Sequence, residues 1–125
     1  MSETRTHITG VRTVGIPVSD QDRALAFYTG TLGLEHRLDV PLGDGERWVE
    51  VAPAGSATSV ALVHTHKGDP IGVETGVRFA SQDVPADHAQ LRANGVDVDE
   101  LIPSPVAMFV FRDPDGNRLE MVEGG

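Results

Sequence analysis

The chain has 125 residues, a net charge of −9 and a hydrophobic content of 39%, which fits a single domain spanning residues 1–125. The acidic balance argues against nucleic acid or an anionic membrane as partner, because both are negatively charged. No cysteine is present, so thiolate metal ligands and a cysteine nucleophile are excluded. The polar start MSETRTHITG lacks the apolar stretch of a signal peptide. No apolar run approaches the roughly 20 residues that span a bilayer, so we expect a cytoplasmic protein.

In chain order, the first half predicts a strand, a helix and further strands. Apolar residues alternate in VRTVGIPVSD (11–20), which is typical of a half-buried strand. Ser19 is predicted to cap the helix that follows, and Gly33 to end it. The segment VEVAPAG (49–55) predicts a strand and a turn, and TSVALVH (58–64) predicts another strand.

The second half repeats this order. In GVRFASQDVPADHAQLRANGVDV (76–98), a short alternating segment precedes Asp83, which is predicted to cap a helix that ends at Gly95. The segment VFRDPDG (110–116) predicts a strand and a turn, and NRLEMV (117–122) predicts a final strand. Strand, acidic cap, helix, glycine and strand therefore occur twice, which indicates an internal repeat.

The repeat covers about residues 11–65 and 75–123, each read as a βαβββ unit, with a polar link over 66–75. Together with VSDQDRALAFYTGTLGLE (18–35) and FRDPDGNRLEMVE (111–123), it resembles the vicinal oxygen chelate superfamily. That superfamily includes glyoxalase I, extradiol dioxygenases, fosfomycin-resistance enzymes and bleomycin-binding proteins. The resemblance implies a glyoxalase-like α+β fold, in which two βαβββ modules form a cup-shaped mixed β-sheet with helices outside. It also implies a homodimer.

The resemblance places metal ligands in the first and last strand of each module. The residues at these positions are Thr13, Ala61, Gly76 (or Thr75, if the register slips by one) and Glu120. A divalent ion needs about three or four histidine, carboxylate or similar ligands, and only Glu120 is of that kind. We therefore expect no cofactor and regard the family metal site as degenerate.

A divalent metal held by Glu120, His64 and His66 is the alternative. Strand alternation turns both histidines away from the face of Ala61, although a β-bulge would turn them inward. His64-Thr-His66 still places two imidazoles close enough in sequence to chelate an ion.

Strand alternation also predicts the lining of the cup. Arg78 follows the face of Gly76, and Arg118 follows the face of Glu120. The resemblance places Met108 and Val110 inside, and matching VEVAPAG to VFRDPDG puts Arg47 and Val49 inside and Trp48 outside. A slip of one residue in this match would reverse the orientation. The predicted ligand-binding residues are Thr13, Arg47, Val49, Arg78, Met108, Val110 and Arg118. Arginines in an acidic protein favour an anionic or aromatic small molecule, unless they pair with carboxylates in solvent.

Three functions are consistent with this sequence. The first is a metal-independent small-molecule-binding protein, which the loss of metal ligands favours. The second is a divalent-metal-dependent lyase, isomerase or dioxygenase of the same superfamily. The third is a metal-free enzyme in which Glu120 is the catalytic general base beside an arginine.

Overall fold

A computed structural model describes residues 5–124, and within them the strands form two four-stranded mixed sheets. The strands are β1 (Thr13–Val18), β2 (Glu35–Gly43), β3 (Glu46–Ala52), β4 (Ser59–His64), β5 (Glu74–Ser81), β6 (Asp97–Val98), β7 (Met108–Arg112) and β8 (Arg118–Glu123). The helices are α1 (Gln21–Leu25), which continues as a π-helical segment (Ala26–Thr31), and α2 (Val84–Ala93). The predicted α+β arrangement of two βαβββ modules is confirmed. Residues 1–4 and 125 of the predicted domain lie outside the described residues.

Each module forms one sheet, with strand order β1-β4-β3-β2 in the first and β5-β8-β7-β6 in the second. The first and last strands of each module are parallel neighbours, and the remaining neighbours are antiparallel. Position for position, the second sheet therefore repeats the first. The edge strands β1 and β5 bring the two modules together.

Both helices begin at an aspartate. The side chain of Asp20 accepts a hydrogen bond from the backbone N–H of Arg23 at 3.0 Å, so the prediction of Ser19 as the cap was one residue early. Asp83 accepts from the N–H of Ala86 at 3.1 Å, which confirms its predicted role. These side chains satisfy N–H groups that the first helical turn leaves unpaired.

The hydrophobic core lies between the helices and one face of each sheet. It contains Ile16, Val18, Val49, Val51, Val60 and Leu62 from the first module, Phe109, Phe111, Leu119 and Met121 from the second, and Ala24, Phe27, Tyr28, Val84 and Leu91 from the helical segments. Side chains alternate along a strand, so the intervening residues lie on the opposite side, which we call the helix-free face. It carries Thr13, Gly15, Trp48, Glu50, Ser59 and Ala61 in the first sheet, and Arg78, Met108, Val110, Arg118 and Glu120 in the second.

The turn between β7 and β8 joins the two modules. Tyr28 donates its hydroxyl to Asp113 at 2.8 Å, and the Asn117 side chain donates to the carbonyl of Pro17 at 2.7 Å. Ser19 donates its hydroxyl to Asp115 at 2.6 Å. The DPDG turn thus has a structural role. None of the helices within residues 5–124 has the length and apolar character needed to cross a bilayer.

Candidate functional site

Glu120 lies in the second half of the helix-free face, between two arginines. Register pairs it with Arg78 on β5 and with Val110 on β7. Its Oε1 is 3.4 Å from Arg78 Nε, and its Oε2 is 3.3 Å from Arg118 Nη1. The Glu120 side chain is 11% exposed, while those of Arg78 and Arg118 are 60% and 39% exposed. The buried carboxylate is therefore compensated by guanidinium groups that reach the surface.

Arg118, the first residue of β8, also contacts Glu74, the first residue of β5. Its Nη1 donates to the carboxylate of Glu74, and this hydrogen bond raises the pKa of Arg118. A hydrogen bond from the N–H of Gly76, followed by that from Arg118, lowers the pKa of Glu74. Both groups are thus held in their charged forms at neutral pH.

A bulge in β5 brings Arg78 opposite Glu120. Glu74 lies opposite Arg118, and the next pair in the register is Arg78 opposite Glu120. Between these two pairs β5 contains two more residues than β8. Gly76 lies inside the bulge at φ +72°, a conformation that glycine adopts without a Cβ penalty.

The first half of the helix-free face carries a second buried carboxylate, Glu50, which sequence reasoning missed. Its residue exposure is 4%. It accepts hydrogen bonds from Arg12 Nη1 at 2.9 Å, Trp48 Nε1 at 2.7 Å and Ser59 Oγ at 2.7 Å. Burial acts to raise the pKa of Glu50, but the hydrogen bonds from Ser59, Trp48 and Arg12 outweigh it and hold the pKa below its ordinary value.

The prediction that Arg47 and Val49 share this face was wrong. Val49 is fully buried in the core, and Arg47 reaches Asp22 at 2.7 Å and Asp39 at 2.6 Å. By alternation Trp48 and Glu50 face the other way, so Trp48 was also misplaced.

The cause of the error is the length of one connection. Between β3 and β4 the chain uses residues 53–58, whereas between β7 and β8 it uses 113–117, one residue fewer. Glu50 pairs with Ala61, and Val110 pairs with Glu120. Glu50 is therefore the structural equivalent of Val110, the position that the sequence match gave to Val49. Comparing the two connection lengths in the sequence would have revealed the shift.

A cavity of about 450 Å³ lies where the two modules meet. It is lined by Val14, Pro53, Ser56, Thr58, Ser59, Val60, Gly76, Val77, Arg78, Phe79 and Ala80. Most of these side chains are apolar or small, and Arg78 is the one charged residue of the lining within the described part of the chain. Because Arg78 also contacts Glu120, the cavity adjoins the second half of the helix-free face.

The remaining predicted lining residues differ in their surroundings. Thr13 pairs with Ser59, and its buried Oγ1 has no hydrogen-bond partner. Met108 and Val110 lie on β7 opposite Val122 and Glu120, and Val110 is buried. The Thr13 hydroxyl is thus buried and unsatisfied, while Met108 and Val110 add apolar surface beside Glu120.

The histidine pair does not join Glu120. His64 Nδ1 is 3.3 Å from Glu46 Oε2, and His66 Nε2 is 3.0 Å from Glu46 Oε1. Within residues 5–124, the only group of three or more possible metal ligands is Glu46, His64 and His66. This corrects the alternative set of Glu120, His64 and His66: His64 follows the alternation of Val60 and Leu62, and β4 has no bulge to turn it.

The sequence model of the Glyoxalase/Bleomycin resistance protein/Dioxygenase superfamily matches residues 7–121. The chain belongs to this family, and the glyoxalase-like fold inferred from the sequence is confirmed. The fold hosts several activities, so family membership alone does not identify the chemistry.

Similar proteins include structures and curated sequences. TnmS3, an antibiotic binding protein from Streptomyces sp. CB03234, has a TM-score of 0.84 and 36% identity, covering 97% of this chain and 100% of its own. A superfamily member from Sphaerobacter thermophilus DSM 20745 has a TM-score of 0.84 and 36% identity, covering 95% of this chain and 100% of its own. The uncharacterized protein YetH of Bacillus subtilis (strain 168) is 32% identical over 114 residues, or 86% of this chain and 92% of YetH.

Proposed function

We propose that the protein binds an apolar or aromatic small molecule in the cavity between its modules, and that it does so without a metal ion. The observation that carries this proposal is the cavity itself. Its volume of about 450 Å³ falls within the roughly 300–1,000 Å³ of typical ligand sites. An apolar lining with one arginine suits a flat hydrophobic molecule that carries an anionic group.

One charged group of the lining can orient such a ligand. Arg78 lines the cavity, and its side chain is 60% exposed, so it can bind an anion while it remains near Glu120. A few polar groups on an apolar wall are the usual basis of orientation in ligand sites.

The side chains at the family ligand positions do not fit a divalent metal. Ala61 and Gly76 have no ligand atom, and Thr13 offers only a neutral hydroxyl. Both oxygens of Glu120 face guanidinium groups, at 3.4 Å and 3.3 Å. This donor set supports a binding protein over a metal-dependent lyase, isomerase or dioxygenase.

The comparison with TnmS3 supports the same class of function. TnmS3 is described as an antibiotic binding protein, and the two chains align over nearly their full lengths. We infer that the present chain also sequesters a small molecule, with the ligand identity set by its own cavity. A cytoplasmic location and the absence of a nucleic-acid partner stay predictions from the sequence.

The test is fluorescence titration with 1-anilinonaphthalene-8-sulfonate, an anionic aromatic probe, after removal of metals with a chelator. Ala80→Leu narrows the cavity, whereas Ala86→Leu adds the same volume on the exposed face of α2. We expect the wild-type protein and Ala86→Leu to bind the probe equally and Ala80→Leu to bind it more weakly. Equal binding by all three proteins would contradict the proposed location.

We also propose that the protein is a homodimer. Strand β2 is an edge strand of 9 residues, and almost all of it is exposed. It presents Val40 and Leu42 to solvent with exposures of 38% and 60%, and an edge strand has unpaired N–H and C=O groups with which another chain can pair. Sedimentation equilibrium should show a dimer, which Leu42→Lys should weaken. A monomer at high concentration would contradict this part of the proposal.

A further inference from the structure

A second polar cluster lies away from the cavity, at the end of β4. It consists of Glu46, His64 and His66, whose possible ligand atoms all lie within 4.8 Å of one another. The imidazole centroids of His64 and His66 are 5.4 Å apart. The three side chains are between 33% and 65% exposed, so an ion can reach them from solvent.

The backbone fixes all three positions. Glu46 begins β3 and His64 ends β4, and these strands are hydrogen-bonded neighbours. The N–H of His66 donates to Asp69 Oδ2 at 2.8 Å, and the N–H of Asp69 donates to the carbonyl of His66 at 2.9 Å. The strand pair holds two of the ligands, and this tight turn holds the third.

The two carboxylate–imidazole separations are close to the spacing of two ligands on one ion. Two ligand atoms on a tetrahedral zinc ion, each at about 2.0–2.1 Å from it, lie roughly 3.3 Å apart. Glu46 Oε2 is 3.3 Å from His64 Nδ1, and Glu46 Oε1 is 3.0 Å from His66 Nε2. A cation would therefore replace the histidine–carboxylate contacts with small rotations of the three side chains.

The surrounding charge favours a cation. The chain has a net charge of −9, and Asp20 and Asp22 line a shallow depression together with His64. Arg47, which lines the same depression, is bound by Asp22 and Asp39. The charge of Arg47 is thus already compensated by carboxylates.

We propose that Glu46, His64 and His66 form a surface site for a divalent transition-metal ion such as Zn²⁺. Two imidazoles and one carboxylate suit zinc, nickel or copper and disfavour magnesium and calcium, which require oxygen ligands. Three protein ligands leave one position of a tetrahedral ion for water. This site is independent of the proposed small-molecule cavity, which needs no metal.

The experiment is isothermal titration of the tag-free protein with Zn²⁺ and, separately, with Mg²⁺. We expect about one Zn²⁺ per chain and no measurable Mg²⁺ binding. His66→Ala should weaken Zn²⁺ binding by roughly tenfold or more, because only two protein ligands remain. His36→Ala is the control, since His36 is also an exposed histidine and contacts Asp39 outside the cluster.

The variant Glu120→Gln distinguishes zinc binding at Glu46, His64 and His66 from zinc binding at Glu120 on the helix-free face. The proposal expects Glu120→Gln to bind Zn²⁺ like the wild type. It is overturned if the wild type binds no Zn²⁺, if His66→Ala binds it as tightly as His36→Ala, or if Glu120→Gln abolishes binding. Probe binding in the cavity is measured separately, so failure of the metal site leaves the proposed function to its own test.

Discussion

The indole Nε1 of Trp48 donates a hydrogen bond to Oε2 of Glu50 at 2.7 Å. This contact places both residues on the helix-free face and makes Glu50 the centre of a buried polar cluster. Trp48 is the only tryptophan of the chain, so its fluorescence reports on this cluster. The pair therefore provides both a structural test and a spectroscopic probe.

Glu50→Ala should destabilise the protein by about 2–4 kcal/mol, because the part-buried indole N–H of Trp48 and the buried hydroxyl of Ser59 lose their acceptor. Glu100→Ala, at an exposed position, should change the free energy of unfolding by no more than about 0.5 kcal/mol. Urea denaturation followed by Trp48 fluorescence measures both. Equal stability of the two variants would show that the cluster does not stabilise the fold.

The same cluster predicts a pH dependence. The folded-state pKa of Glu50 lies below the ordinary value of 4.5, so its contribution to stability is present above that value. The contribution is lost as the pH falls through the lower, folded-state pKa. The stability difference between wild type and Glu50→Gln should therefore be largest near neutrality and shrink in acid. A difference that is constant from pH 7 to pH 3 would contradict the depressed pKa of Glu50.

Tyr28→Phe tests the contact between the modules. Tyr28 is fully buried and donates to Asp113, so the variant should lose about 1–2 kcal/mol of stability near neutral pH. Burial, and next the charge of Asp113, raise the pKa of Tyr28 above its ordinary value of 10.0. Wild-type stability should consequently fall above pH 10, where the unfolded tyrosine ionises, and this fall should be smaller in the variant. Parallel alkaline profiles for the two proteins would rule out this account of Tyr28.

Gly76→Ala tests the bulge in β5. A Cβ at Gly76 would meet no atom within 4 Å, so the expected loss of about 1–2 kcal/mol comes from the positive φ alone. Gly30→Ala is the matched control, because its Cβ also meets nothing within 4 Å and its φ is not positive. Thermal unfolding should show a lower Tm for Gly76→Ala only. A Tm equal to that of the wild type would mean that the bulge tolerates a side chain.

Glu120 distinguishes binding from catalysis. Under the proposed function, Glu120→Gln should retain nearly unchanged affinity for the anionic aromatic probe, because Arg78 still lines the cavity. Arg78→Ala should weaken probe binding, with Arg92→Ala on α2 as the control for a lost surface charge. Fluorescence titration of the three variants provides the comparison. If Glu120→Gln abolished a measurable turnover, the interpretation as a pure binding protein would be wrong.

Much of the fold could be predicted because each module contains the same local sequence patterns: an alternating strand, an acidic helix cap and a glycine after the helix. The alternation of Ile16 and Val18 and the cap at Asp83 depend on neighbouring residues alone, so sequence patterns reveal them. The placement of Arg118 beside Glu120 followed from alternation, while that of Arg78 also depends on the bulge at Gly76. The structure brings the three side chains together. Their role in ligand binding stays a prediction.

The first half of the site was less predictable because it depends on register between distant segments. One additional residue between β3 and β4 moved Glu50 and Trp48 onto the helix-free face and Val49 into the core. The contact of Glu46 with His64 and His66 likewise joins β3, β4 and a turn. Such contacts depend on tertiary packing, which strand alternation does not describe.

The most direct test of metal-independent binding is native mass spectrometry of the tag-free protein, dialysed against a chelator and mixed with 1-anilinonaphthalene-8-sulfonate. We predict a dimer that carries the probe without metal, and weaker probe occupancy in Ala80→Leu. Probe binding that appears only after a divalent ion is restored, and that Glu120→Gln abolishes, would contradict the proposal. That result would instead place a metal centre on the helix-free face.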